Sequence, residues 1–327
     1  MPARRNKMKR SALLILAVCL LASVFMFTSC DAADTDSDAP TVVCSVFVEY
    51  DFVKNIVGDS VEVILLQKNG VDMHSFEPTA RNILDIARAD ALITLGGESD
   101  TWVEGVLASA ENEDIRHIEI FPFCELLHEE TPDSMRDHDH GHDHGHGHDH
   151  GEGEAFDEHV WMSLGNAKAI VSGLCGELSD IFPQYKAQFE ENADKYIEKL
   201  DGLDADFRAL GLEDKPFIVA DRFPFLYFAD EYGLDFLGAF SGCSSETHAS
   251  FDTLVYMIDE VKEREADCIF ITDGSTLGIA ERISEETGAK IYVFNSIQSI
   301  TDAQLREGVG YLELMRENFE ILAEAYK

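Results

Sequence analysis

Positive charge is scarce in this chain of 327 residues. Lys and Arg together number 25 against 63 Asp and Glu, so the formal net charge is −38 at pH 7. Because nucleic acids are bound through cationic side chains that contact the phosphate backbone, this composition argues against a nucleic-acid partner. Anionic lipid headgroups are disfavoured as peripheral partners for the same reason, whereas cationic ligands are not.

Several enzyme and redox motifs are also missing. The chain has no HExxH helix, no GxSxG elbow and no P-loop, so we expect a protein that is not an enzyme, with a zinc hydrolase as the disfavoured alternative. No CxxC occurs, which leaves a thiolate zinc site without support. Apart from Cys19 and Cys30, five widely spaced cysteines remain, which form no disulfide framework. A pairing of Cys243 with Cys268 stays open.

The beginning of the chain has the pattern of an export signal. Five cations in the first ten residues precede an apolar run at 12–27, which is shorter than the ~20 residues of a spanning helix. We therefore predict a signal peptide over 1–29. Cys30 follows two small residues, as in bacterial lipoprotein processing sites, and is the predicted site of lipidation. An acidic segment at 30–40 is predicted as a flexible tether, which places the protein outside the cytoplasm, lipid-anchored to the bacterial cell membrane.

Short apolar runs alternate with helical patterns in both halves of the remaining chain. The first predicted strand is 41–48, followed by a helix at 51–57, and the last predicted helix is 303–326. Near-continuous apolar strands that alternate with helices predict parallel sheets covered on both faces. The predicted fold class is α/β, with two lobes, each a mainly parallel sheet flanked by helices, joined by a long interdomain helix.

The segment between the two halves carries no strand signal. Apolar residues at helical spacing from Tyr185 to Phe207 predict a long helix. The predicted organisation is an N-terminal lobe at 41–165, linking helices at 166–212 and a C-terminal lobe at 213–327. Ligand sites in open α/β sheets form beyond the carboxyl ends of the strands, so a cleft between the lobes is the expected ligand site.

Seven of the twelve histidines lie in one low-complexity loop at 137–151. Alternating His, Asp and Gly offer no apolar face to bury, so a long loop is predicted. Imidazole suits Zn²⁺, Cu²⁺ and Ni²⁺, and we expect several weak metal-collecting sites; a solvated insert with incidental metal affinity is the alternative. The histidines of this loop are His138, His140, His142, His144, His146, His148 and His150.

Other histidines stand in turns or loops outside that segment. His74, His159 and His248 each lie where a turn or loop is predicted. A single surface histidine is more often without a ligand role, and His117 and His128 are interpreted in that way. His74 and His159 differ because of the residues around them.

The surroundings of these two histidines resemble one family. The segments VDMHSFEPTARNILDIARADALITLGGESDTWVE at 71–104 and DEHVWMSLGNAKAIV at 157–171 are similar to the two histidine motifs of the zinc/manganese-type metal-binding lipoproteins of bacterial ABC importers. Further likeness lies in the helical segment at 182–207 and in YFADEYGL and ISEETGAKIYVF of the second half. The resemblance covers about 41–327.

The resemblance implies a cleft in which His74, His159 and two groups from the second lobe hold a metal ion. Where the family usually carries a third histidine, this chain has Arg222. A guanidinium ~4 Å from a dication is repelled by about 8 kcal/mol at an effective dielectric near 20, so Arg222 needs a carboxylate beside it. We predict an ion pair between Arg222 and a nearby acid such as Asp221 or Glu246.

Another residue must then complete the predicted site. Asp273 stands where the family tends to carry its second-lobe carboxylate and is the first candidate, followed by His248 and Glu246. Imidazole-rich ligation favours Zn²⁺, whereas two histidines with two carboxylates favour Mn²⁺, and both stay open. The resemblance implies a monomeric Zn(II) receptor that delivers its ion to an ABC permease in the membrane. A surface adhesin lipoprotein is a further alternative.

Overall fold

The structure, a computed structural model, describes residues 39–110, 112–129, 155–243 and 250–327. Two four-stranded parallel sheets flanked by helices make up this part of the chain, so the predicted α/β fold with two lobes is confirmed. None of the helices in these four ranges has the length and apolar character needed to cross a membrane.

Several predicted features lie outside the described residues. These are the signal peptide, the lipidation site Cys30, the His-rich loop at 137–151, and the two candidate ligands Glu246 and His248. Their assignments stay predictions.

The first lobe is built on a sheet whose strands are joined by helical crossovers. Its elements in chain order are β1 (Thr41–Cys44), α1 (Phe47–Val57), β2 (Glu62–Leu65), α2 (Ala80–Ala87), β3 (Ala91–Thr94), α3 (Val103–Ser109) and β4 (Arg116–Glu119). The strands pair in the order β2-β1-β3-β4, and all of them are parallel.

The first strand ends earlier than predicted. The carboxylate of Glu49 accepts the backbone N–H groups of Ser45 (2.8 Å) and Val46 (3.2 Å), which satisfies donors at the start of α1. The chain therefore leaves the strand at residue 45, and the predicted strand at 41–48 was wrong at that end. The apolar pattern concealed this boundary because the residues on both sides of it are buried.

Two long helices connect the lobes, α4 (Leu164–Ile181) and α5 (Lys186–Ala209). Ser163 caps α4 by accepting the backbone N–H of Asn166 (2.9 Å). The predicted apolar stripe of α5 is confirmed as a buried face. Its buried residues are Phe189, Ala193, Tyr196, Leu200, Leu203 and Phe207.

The second lobe repeats the architecture of the first. Its elements are β5 (Pro216–Phe223), α6 (Leu226–Tyr232), β6 (Asp235–Ser241), α7 (Phe251–Glu263), β7 (Cys268–Thr272), α8 (Gly278–Thr287), β8 (Lys290–Phe294), α9 (Asp302–Glu307) and α10 (Tyr311–Ala325). The strands pair in parallel in the order β6-β5-β7-β8.

The single helix predicted at 303–326 is two helices. Gly308 has a φ of +75°, a left-handed conformation that ends α9. At Gly310 a Cβ would lie 2.7 Å from the Oδ1 of Asp51, so the chain passes too close to α1 for a larger residue. The prediction was wrong because helical spacing continues across this break.

One hydrophobic core runs through both lobes. It contains buried side chains from β1 and α1 of the first lobe, from α4 and α5, and from β5, α6 and α10 of the second lobe. Trp161, Phe207 and Tyr311 are among the large side chains that are fully buried. This core is therefore continuous from one lobe to the other.

Candidate metal centre

His74 lies in a short 3₁₀ turn beyond the carboxyl end of β2. The Oδ1 of Asp72 accepts the backbone N–H of His74 (3.0 Å), which holds the turn. The Nδ1 of His74 lies 3.1 Å from Glu158 Oε2 and 3.0 Å from Ser99 Oγ. When Nδ1 carries the proton, the lone pair is on Nε2. This Nε2 is buried and receives no hydrogen bond from the described residues.

Glu158 orients His74 from the segment that carries the second histidine. Burial raises the pKa of Glu158, but hydrogen bonds from His74 and Ser99 outweigh burial and leave the pKa below its usual value. The backbone N–H of Ser99 also donates to this carboxylate (2.9 Å). A carboxylate that accepts the N–H of an imidazole fixes the tautomer and orientation that metal binding needs.

His159 is fully buried in the segment that precedes α4. The Oδ1 of Asp157 accepts its backbone N–H (2.8 Å) and lies 3.0 Å from its Nδ1. The ring packs edge-on against Trp161 with centroids 5.5 Å apart, and its Nε2 faces the side-chain amide of Gln298. The hydroxyl of Tyr227 donates to the carbonyl of Asp157 (2.8 Å), so the second lobe helps to hold this turn.

The structure brings the two predicted histidines together. The ring centroids of His74 and His159 lie 5.5 Å apart, with 63° between the ring planes. With Zn–N bonds of about 2.0–2.1 Å and tetrahedral angles, two nitrogens on one zinc ion are roughly 3.4 Å apart. No group of metal-ligating atoms within 4.8 Å of one another among the described residues contains both histidines, so the two rings must shift to share one ion. That they do so stays a prediction.

Arg222 contacts the first lobe from the end of β5, where the pairing with β6 shifts register. Its Nη1 lies 2.8 Å from Asp72 Oδ2. The predicted ion pair between Arg222 and Asp221 was wrong. The carboxylate of Asp221 accepts the backbone N–H of Arg222 (2.8 Å) and does not pair with the guanidinium. Glu246 lies outside the described residues. The guanidinium therefore has the carboxylate neighbour that the sequence argument required, and it comes from the turn of His74.

Cys243 lies in the turn after β6, beside both histidines. Two groups of three metal-ligating side chains occur among the described residues, with ligand atoms within 4.8 Å of one another. One contains His74, Glu158 and Cys243, and the other contains Asp157, His159 and Cys243. Burial, followed by the charge of Asp157, raises the pKa of the Cys243 thiol well above its usual value, so the thiol is neutral before any metal binds.

The turn of Cys243 is packed directly against the histidine segment. At Gly242 a Cβ would lie 2.9 Å from the carbonyl oxygen of Phe223 and 3.0 Å from Asp157 Oδ2. Only glycine allows this close approach. Cys243 and Cys268 are both free thiols, so the structure contains no disulfide between them.

Asp273 lies on the second-lobe wall of a cavity of about 770 Å³, which Asp72, Arg222 and Gln298 also line. Its Oδ1 accepts the backbone N–H (2.6 Å) and the hydroxyl (2.8 Å) of Ser296. In the described part of the chain, neither group of close metal-ligating atoms includes Asp273. It stays a candidate ligand that would have to approach the histidines from this wall.

One short sequence pattern accompanies both histidines. Each histidine follows an aspartate by two residues, and in both cases that aspartate accepts the backbone N–H of the histidine. The repeated Asp-x-His spacing thus marks two similar turns. Cys243 has no comparable signal, because its spacing from the other cysteines matches no metal-binding pattern.

The sequence profile of one family matches residues 42–325. That family is described as the periplasmic component A of the zinc-uptake complex. The match spans both lobes and the two helices between them.

Two curated relatives have the same sequence identity to this chain. The high-affinity zinc uptake system protein ZnuA of Bacillus subtilis is 30% identical over 321 residues, which is 97% of this chain and 98% of the relative. The zinc-binding lipoprotein AdcA of Streptococcus pneumoniae is 30% identical over 318 residues, which is 97% of this chain but 61% of the relative. The chain therefore spans about three fifths of the length of AdcA.

A solved structure shares the fold. The Zn(II)-bound ZnuA-like domain of Streptococcus pneumoniae AdcA superposes with a TM-score of 0.70 at 28% sequence identity. The superposition covers 88% of this chain and 98% of that domain.

Proposed function

Because the chain belongs to the family of periplasmic zinc-uptake component A, we propose that it is a receptor that captures Zn²⁺ in the cleft between its lobes. His74 and His159 are its first-lobe ligands. The observation that carries this proposal is the pair of adjacent imidazoles, one of which has a buried Nε2 with no hydrogen bond from the described residues. A buried polar atom without a partner is costly, and a metal ion supplies the partner.

The second lobe completes the site. Asp273, His248 and Glu246 are the candidates that the family pattern suggests. Imidazole nitrogen favours Zn²⁺ over Mn²⁺, which prefers oxygen ligands, and the zinc-binding names of the relatives favour the same ion. Mn²⁺ is the alternative cargo if two carboxylates join the two histidines.

The receptor works outside the cytoplasm as a monomer, with a lipid on Cys30 that keeps it near its membrane partner. That partner is an ABC permease, which receives the ion. The periplasmic description of the family and the lipoprotein name of one relative support this location. Since the core is continuous through both lobes, release follows small tilts and local changes in the ligand loops. Zinc is cargo here, and no catalytic role is proposed.

The His-rich loop feeds the cleft when zinc is scarce. Its seven imidazoles come one short segment before His159 in the chain. Deletion of 137–151 is expected to slow zinc uptake at low zinc while one tight site remains. Loss of that tight site would contradict an accessory role for the loop.

The central experiment is metal analysis together with calorimetric titration of zinc into the purified full chain. We expect one tightly bound Zn²⁺ with sub-micromolar affinity, and loss of that site in His74→Ala and in His159→Ala. His117→Ala is the matched control, because His117 is not a predicted ligand. Its ring contacts Thr94 (3.0 Å) on the first sheet. His248→Ala and Asp273→Ala rank the second-lobe candidates. Tight zinc binding that survives both first-lobe substitutions would exclude this site.

An adhesin function would give a different result. Binding of the chain to an extracellular matrix protein after complete removal of metal would support an adhesin. Turnover of an ester or peptide would support the zinc hydrolase.

A further inference from the structure

We infer that Cys243 is the second-lobe ligand of the zinc ion that His74 and His159 bind, and that it binds as a thiolate. This inference rests on the proposed function and names a residue that the family pattern did not suggest. Where that pattern leads one to expect a third histidine, this chain has Arg222, which is paired with Asp72 at 2.8 Å. The position is therefore closed to a metal ligand.

Cys243 belongs to both clusters of metal-ligating atoms in the described part of the chain. Its Sγ lies within 4.8 Å of ligand atoms of Glu158 and His74 in one cluster, and of Asp157 and His159 in the other. Its turn follows β6, so it reaches the histidines from the second lobe. One sulfur is thus close to a ligand atom of each imidazole from the opposite side of the cleft, and an ion bound to all three residues draws the two clusters together.

The local structure holds the sulfur in this place. Gly242 brings the turn against Asp157 and Phe223, where any Cβ would be too close. The carboxylate of Glu129 accepts the backbone N–H of Cys243 (3.0 Å), so the turn is also held from the first lobe. A ligand held by these two contacts needs only a small movement to close on an ion.

The chemistry of the donor set suits zinc. Cysteine sulfur at about 2.3 Å and histidine nitrogen at about 2.0–2.1 Å are ordinary zinc ligands, and Cys-His₂ leaves one position for a further oxygen. On binding, the Sγ–H bond breaks, its proton leaves to water, and the sulfur electron pair forms the Zn–S bond. The thiolate also brings a negative charge into a site whose second-lobe wall carries Arg222. A soft sulfur ligand selects Zn²⁺ over Mn²⁺, which decides the choice of cargo.

Cobalt substitution of the full chain tests the inference, with a phosphine reductant to keep thiols reduced. Thiolate bound to Co²⁺ gives a charge-transfer band in the near ultraviolet, whereas histidine and carboxylate do not. We expect this band in the wild type and in the matched control Cys124→Ser, which changes another partly buried cysteine. We expect its loss in Cys243→Ser, together with zinc affinity lower on the order of 100-fold in a competition titration.

The outcomes separate this inference from the proposed function. Absence of tight zinc binding in the wild type overturns both. Tight binding without the band, or a band or zinc affinity unchanged in Cys243→Ser, overturns the role of Cys243 alone. If Cys243→Ser fails to fold, alkylation of the wild type decides the matter. Zinc must then protect Cys243, but not Cys124, from iodoacetamide, as read by mass spectrometry, and equal labelling with and without zinc overturns the inference.

Discussion

The two histidine turns share one backbone hydrogen bond but differ in the contacts of the imidazole ring. In each, an aspartate two residues earlier accepts the backbone N–H of the histidine. At His159 the same aspartate also faces the ring Nδ1, and the ring is fully buried. At His74 the ring Nδ1 instead faces Glu158 from the other turn, and the side chain is 16% exposed.

The two aspartates also use their carboxylate oxygens differently. Asp157 spends its Oδ1 on both contacts of His159, whereas Asp72 caps His74 with one oxygen and pairs with Arg222 through the other. The His159 turn is therefore held by its own aspartate, by burial and by the hydrogen bond from Tyr227 of the second lobe. The His74 turn depends on the His159 segment through Glu158 and on the second lobe through Arg222. The fully buried His159 is the more fixed of the two histidines, and the partly exposed His74 is the more able to respond to movement of the lobes.

The largest effects are expected from replacing the two histidines, and the two variants should differ in their free energy of unfolding. We expect His159→Ala and His74→Ala each to weaken zinc binding by 100- to 1000-fold, on the order of one ligand's share of a zinc site. In metal-free protein, His159→Ala should also lower the free energy of unfolding by about 1–3 kcal/mol, because Asp157 loses a buried partner. His74→Ala should lower it less, since Ser99 still donates to Glu158.

Zinc competition and urea unfolding of the metal-free variants measure these two effects. Equal loss of stability in both alanine variants would contradict the distinction between a fixed and a responsive histidine.

The next largest difference in zinc affinity is expected between variants of the two aspartates. Asp157→Asn removes a buried charge that orients His159, and we expect zinc affinity to fall by about 10- to 100-fold. Asp72→Asn keeps an oxygen to cap its turn and loses a partly exposed ion pair, so a fall of only about 2- to 5-fold is expected. Zinc titration of both variants checks the ratio. A greater loss from Asp72→Asn would show that the interlobe ion pair, and not burial, sets the geometry.

Much of this arrangement could be predicted from the sequence. Apolar runs and helical spacing identified parallel sheets and the long α5 because each pattern is local. Predicted boundaries were wrong where an apolar pattern continues through a break, as after Cys44 and at Gly308. His74 and His159 could be selected because the motifs around them are distinctive.

The remaining parts of the site depend on contacts between distant segments. The predicted partners of Arg222 lay close in sequence, but its carboxylate is 150 residues away and is brought near by the fold. Cys243 carried no signal because a single cysteine acquires meaning only from the side chains that the fold places around it. Ser99 and Gln298 come from loops after β3 and β8, and neither has a spacing that indicates a role.

The smallest expected effect is a change in zinc affinity when one partner of the ion pair beside the His74 turn is removed. Its direction should depend on the sign of the charge that is left unpaired. Asp72→Asn leaves an unpaired guanidinium beside the cleft, which repels Zn²⁺. Arg222→Met leaves an unpaired carboxylate, which attracts it. We expect zinc affinity to fall by about 2- to 5-fold in the first variant and to rise by a similar factor in the second, since an exposed ion pair contributes about 0.2–1 kcal/mol. Both changes should shrink as salt is raised, because salt screens exposed charges. If both variants instead weaken binding equally at every salt concentration, the pair acts by fixing the position of His74 and not by its charge.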